Sequence, residues 1–184
     1  MKVPIFEYPS YRYQIKDWSF KKKAILGKLK EKNFARTPLQ TFETDRQNDG
    51  SSYMHYLAEL INPELSEFCQ EAQVTCSMTD AWTVRYQKGD RQTIHNHRSW
   101  GFSGIIFLEF DPKIHTPTCF VSPYQDPRTD TTTITIPADV NEGDMIIFPS
   151  YTLHYVEPNN YRKRRSVISF DLLPKLPTHR AVEQ

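Results

Sequence analysis

Tyr86-Gln-Lys-Gly-Asp-Arg-Gln-Thr-Ile-His95-Asn-His97 and Gly143-Asp-Met-Ile-Ile-Phe-Pro149-Ser-Tyr-Thr-Leu-His154 are the two stretches whose reading decides the fold. Side chains of an extended strand alternate between its faces, so histidines at i and i+2 point the same way and both imidazoles reach one metal ion. A third histidine entering a later strand completes a three-ligand set. Gly89 and Gly143 precede the two histidine sites, so a turn, a strand and a histidine recur in the same order. A His-x-His pair on a surface often binds nothing. The repeated layout is what favours a metal site inside a β-barrel.

Around these stretches the hydrophobic period is two. From residue 73 onward, strands are expected at Ala81 to Gln87, Thr93 to His97, Phe102 to Phe110, Thr118 to Ser122, Thr131 to Ile136, Asp144 to Phe148, His154 to Glu157 and Arg165 to Leu172. Antiparallel strands in that number, after a few helices, specify a mainly β fold: a double-stranded β-helix, the cupin-like jelly-roll barrel, with N-terminal helices packed on one sheet. The expected organisation is one domain over 1–184, with an arm and supporting helices at 1–79, the β-helix core at 80–173 and a tail at 174–184.

Upstream, residues 3 to 15 alternate weakly and carry two prolines, which suits an edge strand or an arm laid over the barrel. Asp17 to Lys32 reads as an amphipathic helix with Asp17 as cap, Trp18, Ile25, Leu26 and Leu29 inward, and Lys21 to Lys23 on the solvated face. After a turn at Asn48-Asp49-Gly50, Ser51 or Ser52 caps a helix carrying Tyr53, Tyr56, Leu57, Leu60 and Ile61. It stops at Asn62-Pro63, and another helix follows from about Pro63 to Ala72 with Leu65, Phe68 and Cys69 inward. The end of the chain, from Pro174 to Arg180, reads as an ordered segment giving way to a frayed terminus.

Composition narrows the function. The 184 residues are 38% hydrophobic, enough for one core, and 13% aromatic, with 13 prolines against 6 glycines, a mix of rigid turns and large interior side chains. Lysine plus arginine (23) nearly cancels aspartate plus glutamate (22), so no global field recruits nucleic acid. Apolar runs are short and the start of the chain lacks a signal-peptide pattern, so a soluble, cytoplasmic protein without membrane contact is expected. Cys69, Cys76 and Cys119 lack Cys-x-x-Cys spacing and read as reduced thiols in or near the core.

Three neutral imidazoles from His95, His97 and His154 leave coordination positions open, and imidazole suits iron, copper, zinc or nickel. Beyond His154 comes Arg162-Lys-Arg-Arg165. Arg162 and Lys163 read as a solvated turn, whereas Arg164 or Arg165 enters a barrel strand where an inward guanidinium faces an anion near the metal. Parity selects Arg165, which shares a face with Val167, Ser169 and Asp171. Arg164 shares its face with Ser166, Ile168, Phe170 and Leu172, the side expected to pack on helices.

The segment Val84-Arg-Tyr-Gln-Lys-Gly89 followed by His95 resembles the barrel start of prolyl-4-hydroxylase-like oxygenases, which use Fe(II) and 2-oxoglutarate. A bacterial and phage group within that superfamily is closer. Its pattern resembles His95-x-His97, Ser103-Gly-Ile-Ile-Phe-Leu108, Phe120-x-x-Pro123, Glu142-Gly-Asp-Met-Ile-Ile-Phe-Pro-Ser150, His154-x-Val-Glu-Pro-Asn159 and Arg165-x-x-x-Ser169-Phe170. The resemblance implies that His95 and His154 bind iron, that Arg165 binds the distal carboxylate of 2-oxoglutarate, that Tyr86 and Ser169 assist, and that no catalytic residue stands apart from the metal centre. His97 departs from it: most of the superfamily has the carboxylate of His-x-Asp there. The implied activity is hydroxylation of a small-molecule or peptide substrate, with Trp100, Tyr124, Arg128 and Tyr151 on loops near the barrel mouth as candidate contacts, and a homodimer is compatible with the pattern. A cupin-type metal enzyme and a non-catalytic jelly-roll binding protein are the alternatives. The cupin reading lacks its glutamate after His97 and gives Arg165 no task.

Overall fold

The computed structural model describes residues 9–36, 41–48 and 50–175. In chain order the elements are β1 (Tyr11–Gln14), α1 (Trp18–Leu26), β2 (Glu43–Thr44), α2 (Met54–Leu60), α3 (Asn62–Glu71), β3 (Cys76–Tyr86), β4 (Gln92–His95), β5 (Phe102–Glu109), β6 (Cys119–Asp126), β7 (Thr131–Thr135), β8 (Asp144–Pro149), β9 (His154–Val156) and β10 (Arg165–Pro174). The change of hydrophobic period near residue 73 has a backbone counterpart: Gln73 turns the chain at φ 53° between α3 and β3.

All strand pairs are antiparallel and form two sheets, in the orders β1-β8-β5-β10-β3-β2 and β4-β9-β6-β7. This is the jelly-roll fold expected. Alternation along the major sheet explains its two cores. Ile106, Leu108, Met145, Ile147, Ile168, Phe170 and Leu172 bury one face against Ile25, Leu57, Ile61 and Phe68 of the helices. Trp82, Val84, Tyr86, Ile105, Phe107, Ile146, Phe148 and Val167 bury the other face between the sheets, meeting Val156 and Phe120. At about 1.5–3 kcal/mol per buried large side chain, these layers dominate the fold's stability. Gly104 is required where it stands, because a Cβ there would run into the ring of Phe170 on the neighbouring strand. At Gly143, φ is +87° and a Cβ would come within 2.5 Å of Trp18, so the turn before β8 needs glycine on both counts.

Several boundaries differ from expectation. β3 starts at Cys76 rather than Ala81, β6 continues to Asp126, and β4 stops at His95, leaving His97 beyond the strand. α1 ends at Leu26 rather than Lys32, closed by the Gly27 N–H donating to Lys23 O and the Lys28 N–H donating to Ile25 O. Asp17 lies at φ 53° and makes no side-chain cap. Lys21 is not solvated: it is buried with Glu64, the charges 3.4 Å apart. A 3-10 turn at Gly50–Tyr53 leads into α2, which starts from Tyr53 without a side-chain cap. The cysteines are free, with Cys119 buried and the sulfurs of Cys69 and Cys76 3.2 Å apart. Of the expected arm, residues 9–15 are described and β1 lies among them. Residues 3–8, the turn residue 49 and the tail from 176 lie outside the described residues. Among the described residues, no helix is long and apolar enough to cross a membrane.

Candidate metal centre

β4 and β9 pair so that His95 lies directly opposite His154. His97, past the end of β4, donates its backbone N–H to Ser150 O at 3.0 Å, and its ring stands beside the other two. The ring centroids are 4.2 Å apart for His95 and His154, 5.2 Å for His97 and His154 and 5.6 Å for His95 and His97. One nitrogen from each ring lies within 4.8 Å of the others.

Hydrogen bonds decide which nitrogens these are. Nδ1 of His95 meets Thr93 O at 2.8 Å, Nδ1 of His154 meets Thr152 O at 2.9 Å, and Nδ1 of His97 meets Asp171 Oδ1 at 2.9 Å. Carbonyl and carboxylate oxygens only accept, so each Nδ1 carries the proton and each Nε2 carries the lone pair that a metal would use. Burial, reinforced by the neighbouring His95, pushes His154 down to about 3. Burial also lowers His95. Both rings are therefore neutral at physiological pH, the state a metal requires.

Arg165 enters the same interior from the start of β10. It is 2% exposed, its Nη2 donates to Thr118 Oγ1 at 3.3 Å, and its guanidinium sits 4.9 Å from the Tyr86 ring centroid. Among the described residues, its Nε and Nη1 have no hydrogen-bond partner. Burial lowers the Arg165 pKa, opposed by Tyr86. Burial likewise pushes Tyr86 up to about 12, although Arg165 opposes the shift. Buried backbone and side-chain donors are nearly always paired, so two unpartnered nitrogens on one buried cation stand out.

Beside the histidines lies a slot walled by Tyr86, Ile105, Thr118, Phe148, Val156, Val167 and Ser169, with about 20 Å³ of space. That is room for one water. Gln92 spans it: Oε1 accepts from Tyr86 O–H at 2.6 Å while the amide nitrogen lies 3.1 Å from His95 Nε2 and donates to its lone pair. A metal held by that nitrogen would take the place of this hydrogen bond. On the other side of the histidines an open cavity of about 380 Å³ is lined by Phe42, Arg46, Trp82, Gln92 and Arg98, among others. The Arg46 guanidinium stacks 3.8 Å over the Trp82 ring and pairs with Asp80 at 3.2 Å. The larger cavity of about 780 Å³ lies elsewhere, against α2, α3 and the start of β3, and none of the three histidines reaches it.

His95, His97 and His154 thus converge, Tyr86 and Ser169 line the slot beside them, and Arg165 lies behind two of its walls, Tyr86 and Thr118. Arg164 points outward and binds Glu109 through two contacts of 3.0 and 3.1 Å. Arg162 and Lys163 are exposed, the latter paired with Asp111 at 2.8 Å. Trp100, Tyr124, Arg128 and Tyr151 line neither space beside the histidines. Tyr124 belongs to β6 rather than a loop, and Arg128 folds onto Asp126 at 2.5 Å.

Thr118, Gln92, Asp171, Arg46 and Arg98 were not singled out from sequence. Asp171 was already on the inward face by parity. Gln92 stands three residues before His95 and would face away in a regular strand, but β4 has a register shift against β9 between Gln92 and His95, which brings both side chains to the same side.

A family model described as "Putative 2OG-Fe(II) oxygenase" matches residues 80–171. No curated protein matches the chain in sequence. Among solved structures, HygX from Streptomyces hygroscopicus with nickel and 2-oxoglutarate bound aligns with a TM-score of 0.64 at 10% identity, over 92% of this chain and 84% of that one. The non-heme alpha-ketoglutarate-dependent epimerase SnoN from nogalamycin biosynthesis gives a TM-score of 0.63 at 12% identity, over 87% and 72%. A Pseudomonas putida prolyl-4-hydroxylase gives 0.56 at 11% identity, over 91% and 94%. At these identities the likeness is one of fold.

Proposed function

The chain belongs to the 2OG-Fe(II) oxygenase family, and from that premise we propose that His95, His97 and His154 hold Fe(II), that Arg165 anchors 2-oxoglutarate, and that a small molecule bound in the outer cavity is hydroxylated. The observation that carries this reading is the buried guanidinium of Arg165 with Nε and Nη1 unpartnered. Arginine does not lose its proton in proteins, so a buried, unpaired guanidinium is a standing cost that an anion removes. 2-Oxoglutarate offers a distal carboxylate to the guanidinium and a 2-oxo acid group to a metal with open positions. The cupin alternative accounts for the histidines but leaves Arg165 without a reason to be buried.

When bound, Fe(II) and 2-oxoglutarate supply the redox chemistry: dioxygen is reduced, 2-oxoglutarate loses carbon dioxide to become succinate, and a substrate C–H bond becomes C–OH. The protein's residues set the conditions for it. Tyr86 and Thr118 flank the anchoring arginine, and Ile105, Phe148, Val156 and Val167 exclude water from the slot. The slot's small volume requires Gln92 to swing away from His95 as the co-substrate enters.

The outer cavity, at about 380 Å³, suits a small ligand or a single side chain. HygX has been crystallised with hygromycin B and SnoN with nogalamycin RO, both small molecules. The test is 2-oxoglutarate turnover to succinate in air with added Fe(II), together with anaerobic titration of 2-oxoglutarate into the Fe(II)-loaded protein. Saturable binding and succinate formation are expected; absence of both rejects the oxygenase reading.

A further inference from the structure

Three imidazoles bring no charge to a ferrous ion, whereas the aspartate that most of the superfamily carries at the position of His97 brings one. We infer that Asp171 is the positioning residue that supplies this charge from behind, through His97. The inference rests on the reading of the three histidines as ligands.

Asp171 is 1% exposed on the inward face of β10. Its Oδ1 accepts from His97 Nδ1 at 2.9 Å and from Ser103 Oγ at 2.8 Å. Its Oδ2 makes no hydrogen bond among the described residues but faces Arg98 Nε at 3.4 Å. Donors approach from each of these three residues and no acceptor does, which is the environment of an ionised carboxylate.

The three histidines differ at this point. His95 and His154 give their Nδ1 protons to carbonyls of residues two before them, neutral acceptors that any chain offers. His97 gives its proton to a buried carboxylate on another strand. A carboxylate behind an imidazole fixes the tautomer, orients the ring and raises its basicity toward the metal. The anion missing from position 97 is thus found one residue-length farther from the metal. Ser103 adds to the support: its hydroxyl donates to Asp171 and accepts from Ser150 Oγ at 2.9 Å. The carbonyl of Ser150 holds the backbone of His97. Asp171 therefore positions both the charge and the ring of a residue that has left the strand.

The arrangement predicts sign epistasis between positions 97 and 171. Asp171→Asn keeps shape and removes charge, so it should weaken Fe(II) binding about 10- to 100-fold. His97→Asp brings a second carboxylate against Asp171 and removes its N–H partner, so it should also bind poorly. The double variant has one carboxylate beside the metal and a neutral amide behind it, and should bind Fe(II) more tightly than either single variant.

Affinities are read anaerobically by competition with a chromogenic chelator, and folding by circular dichroism. A measurement on the native chain covers failure of a variant to fold. In the Zn(II)-loaded protein, the imidazole N–H proton of His97 should resonate downfield of those of His95 and His154, because its acceptor is charged.

Native-like Fe(II) affinity in Asp171→Asn, simple additivity of the two substitutions, or a His97 proton indistinguishable from the other two overturns the inference. If the native chain binds neither metal, the functional reading falls with it. If metal binds and 2-oxoglutarate does not, only the oxygenase reading falls.

Discussion

Arg165→Met should separate the co-substrate from the fold with effects of opposite sign. In the native protein the guanidinium is 2% exposed, spends Nη2 on Thr118, and leaves Nε and Nη1 without partners. Once 2-oxoglutarate is bound, removing the cation strands a desolvated carboxylate, a loss of about 2–5 kcal/mol. At about 1.4 kcal/mol per tenfold, that weakens binding roughly 30- to 4000-fold. In the unliganded protein the same substitution removes an unpaired buried charge, and replacing such charges by apolar groups is neutral or stabilising by up to about 4 kcal/mol. The contact with the Tyr86 ring at 4.9 Å offsets part of this, by about 1–2 kcal/mol. The melting temperature of the unliganded variant should therefore equal or exceed the native value, with each kcal/mol worth about 2–4 °C at this size. Isothermal titration of 2-oxoglutarate into the Fe(II)-loaded protein without oxygen gives the affinity, and calorimetric melting of the metal-free protein gives the stability. Arg164→Ala, which loses only the outward pair with Glu109, serves as the control with native affinity. A variant that binds 2-oxoglutarate like the native chain, or that melts well below it when unliganded, would show that the orphaned N–H groups have another purpose.

The remaining predictions concern the same interior and one distant thiol pair. His154 is lowered to about 3 from 6.5, so the unfolded chain binds a proton there that the folded chain refuses; stability is full above pH 6.5 and falls as pH drops toward 3. Between pH 7 and 5 this site should cost the metal-free protein about 2 kcal/mol, and a urea series showing no such decline in the native chain, or the same decline in His154→Asn, refutes it. Gln92→Ala opens the slot by removing the bridge from Tyr86 to His95, so 2-oxoglutarate should associate faster in anaerobic stopped-flow absorbance; an unchanged rate means Gln92 does not obstruct the path. Cys69 and Cys76, with sulfurs 3.2 Å apart, should reduce oxidised glutathione to two thiols and close a disulfide, leaving Cys119 as the remaining titratable thiol. Burial and the adjacent Cys69 push Cys76 up to about 12, so the closure should speed up as pH rises; stable glutathione adducts on both cysteines would count against it.

The fold was legible because its information is periodic. On β10, alternation alone sent Ile168, Phe170 and Leu172 to the helices, Val167 and Ser169 to the slot, and Arg165 to the interior beside Tyr86 and Phe107. The helix ends were less legible, because they depend on contacts distant in sequence. Lys21 reads as a solvated lysine until Glu64 is brought beside it. Asp17 reads as a cap, yet its backbone takes a left-handed turn that makes no side-chain cap. A local rule yields wherever a tertiary partner supplies more free energy than the rule's typical few tenths to one kcal/mol.

The candidate site divides along the same line. His95, His97 and His154 are visible as spacing, and Arg165 as parity, because each is carried by a strand or its immediate continuation. Gln92 was hidden by an irregularity: the shift in β4 against β9 breaks the alternation that would have turned it away from His95. Asp171 presents the opposite case, since parity had already placed it on the inward face, and what was missing was a reason for an acid to be buried there. That reason exists only once His97 leaves β4 and Ser150 O holds its backbone in place. A histidine at position 97 and an aspartate at position 171 are therefore one feature written in two distant parts of the chain. Position 97, read alone, looks like the loss of a charge, whereas the pair keeps the charge and moves it outward by the width of an imidazole.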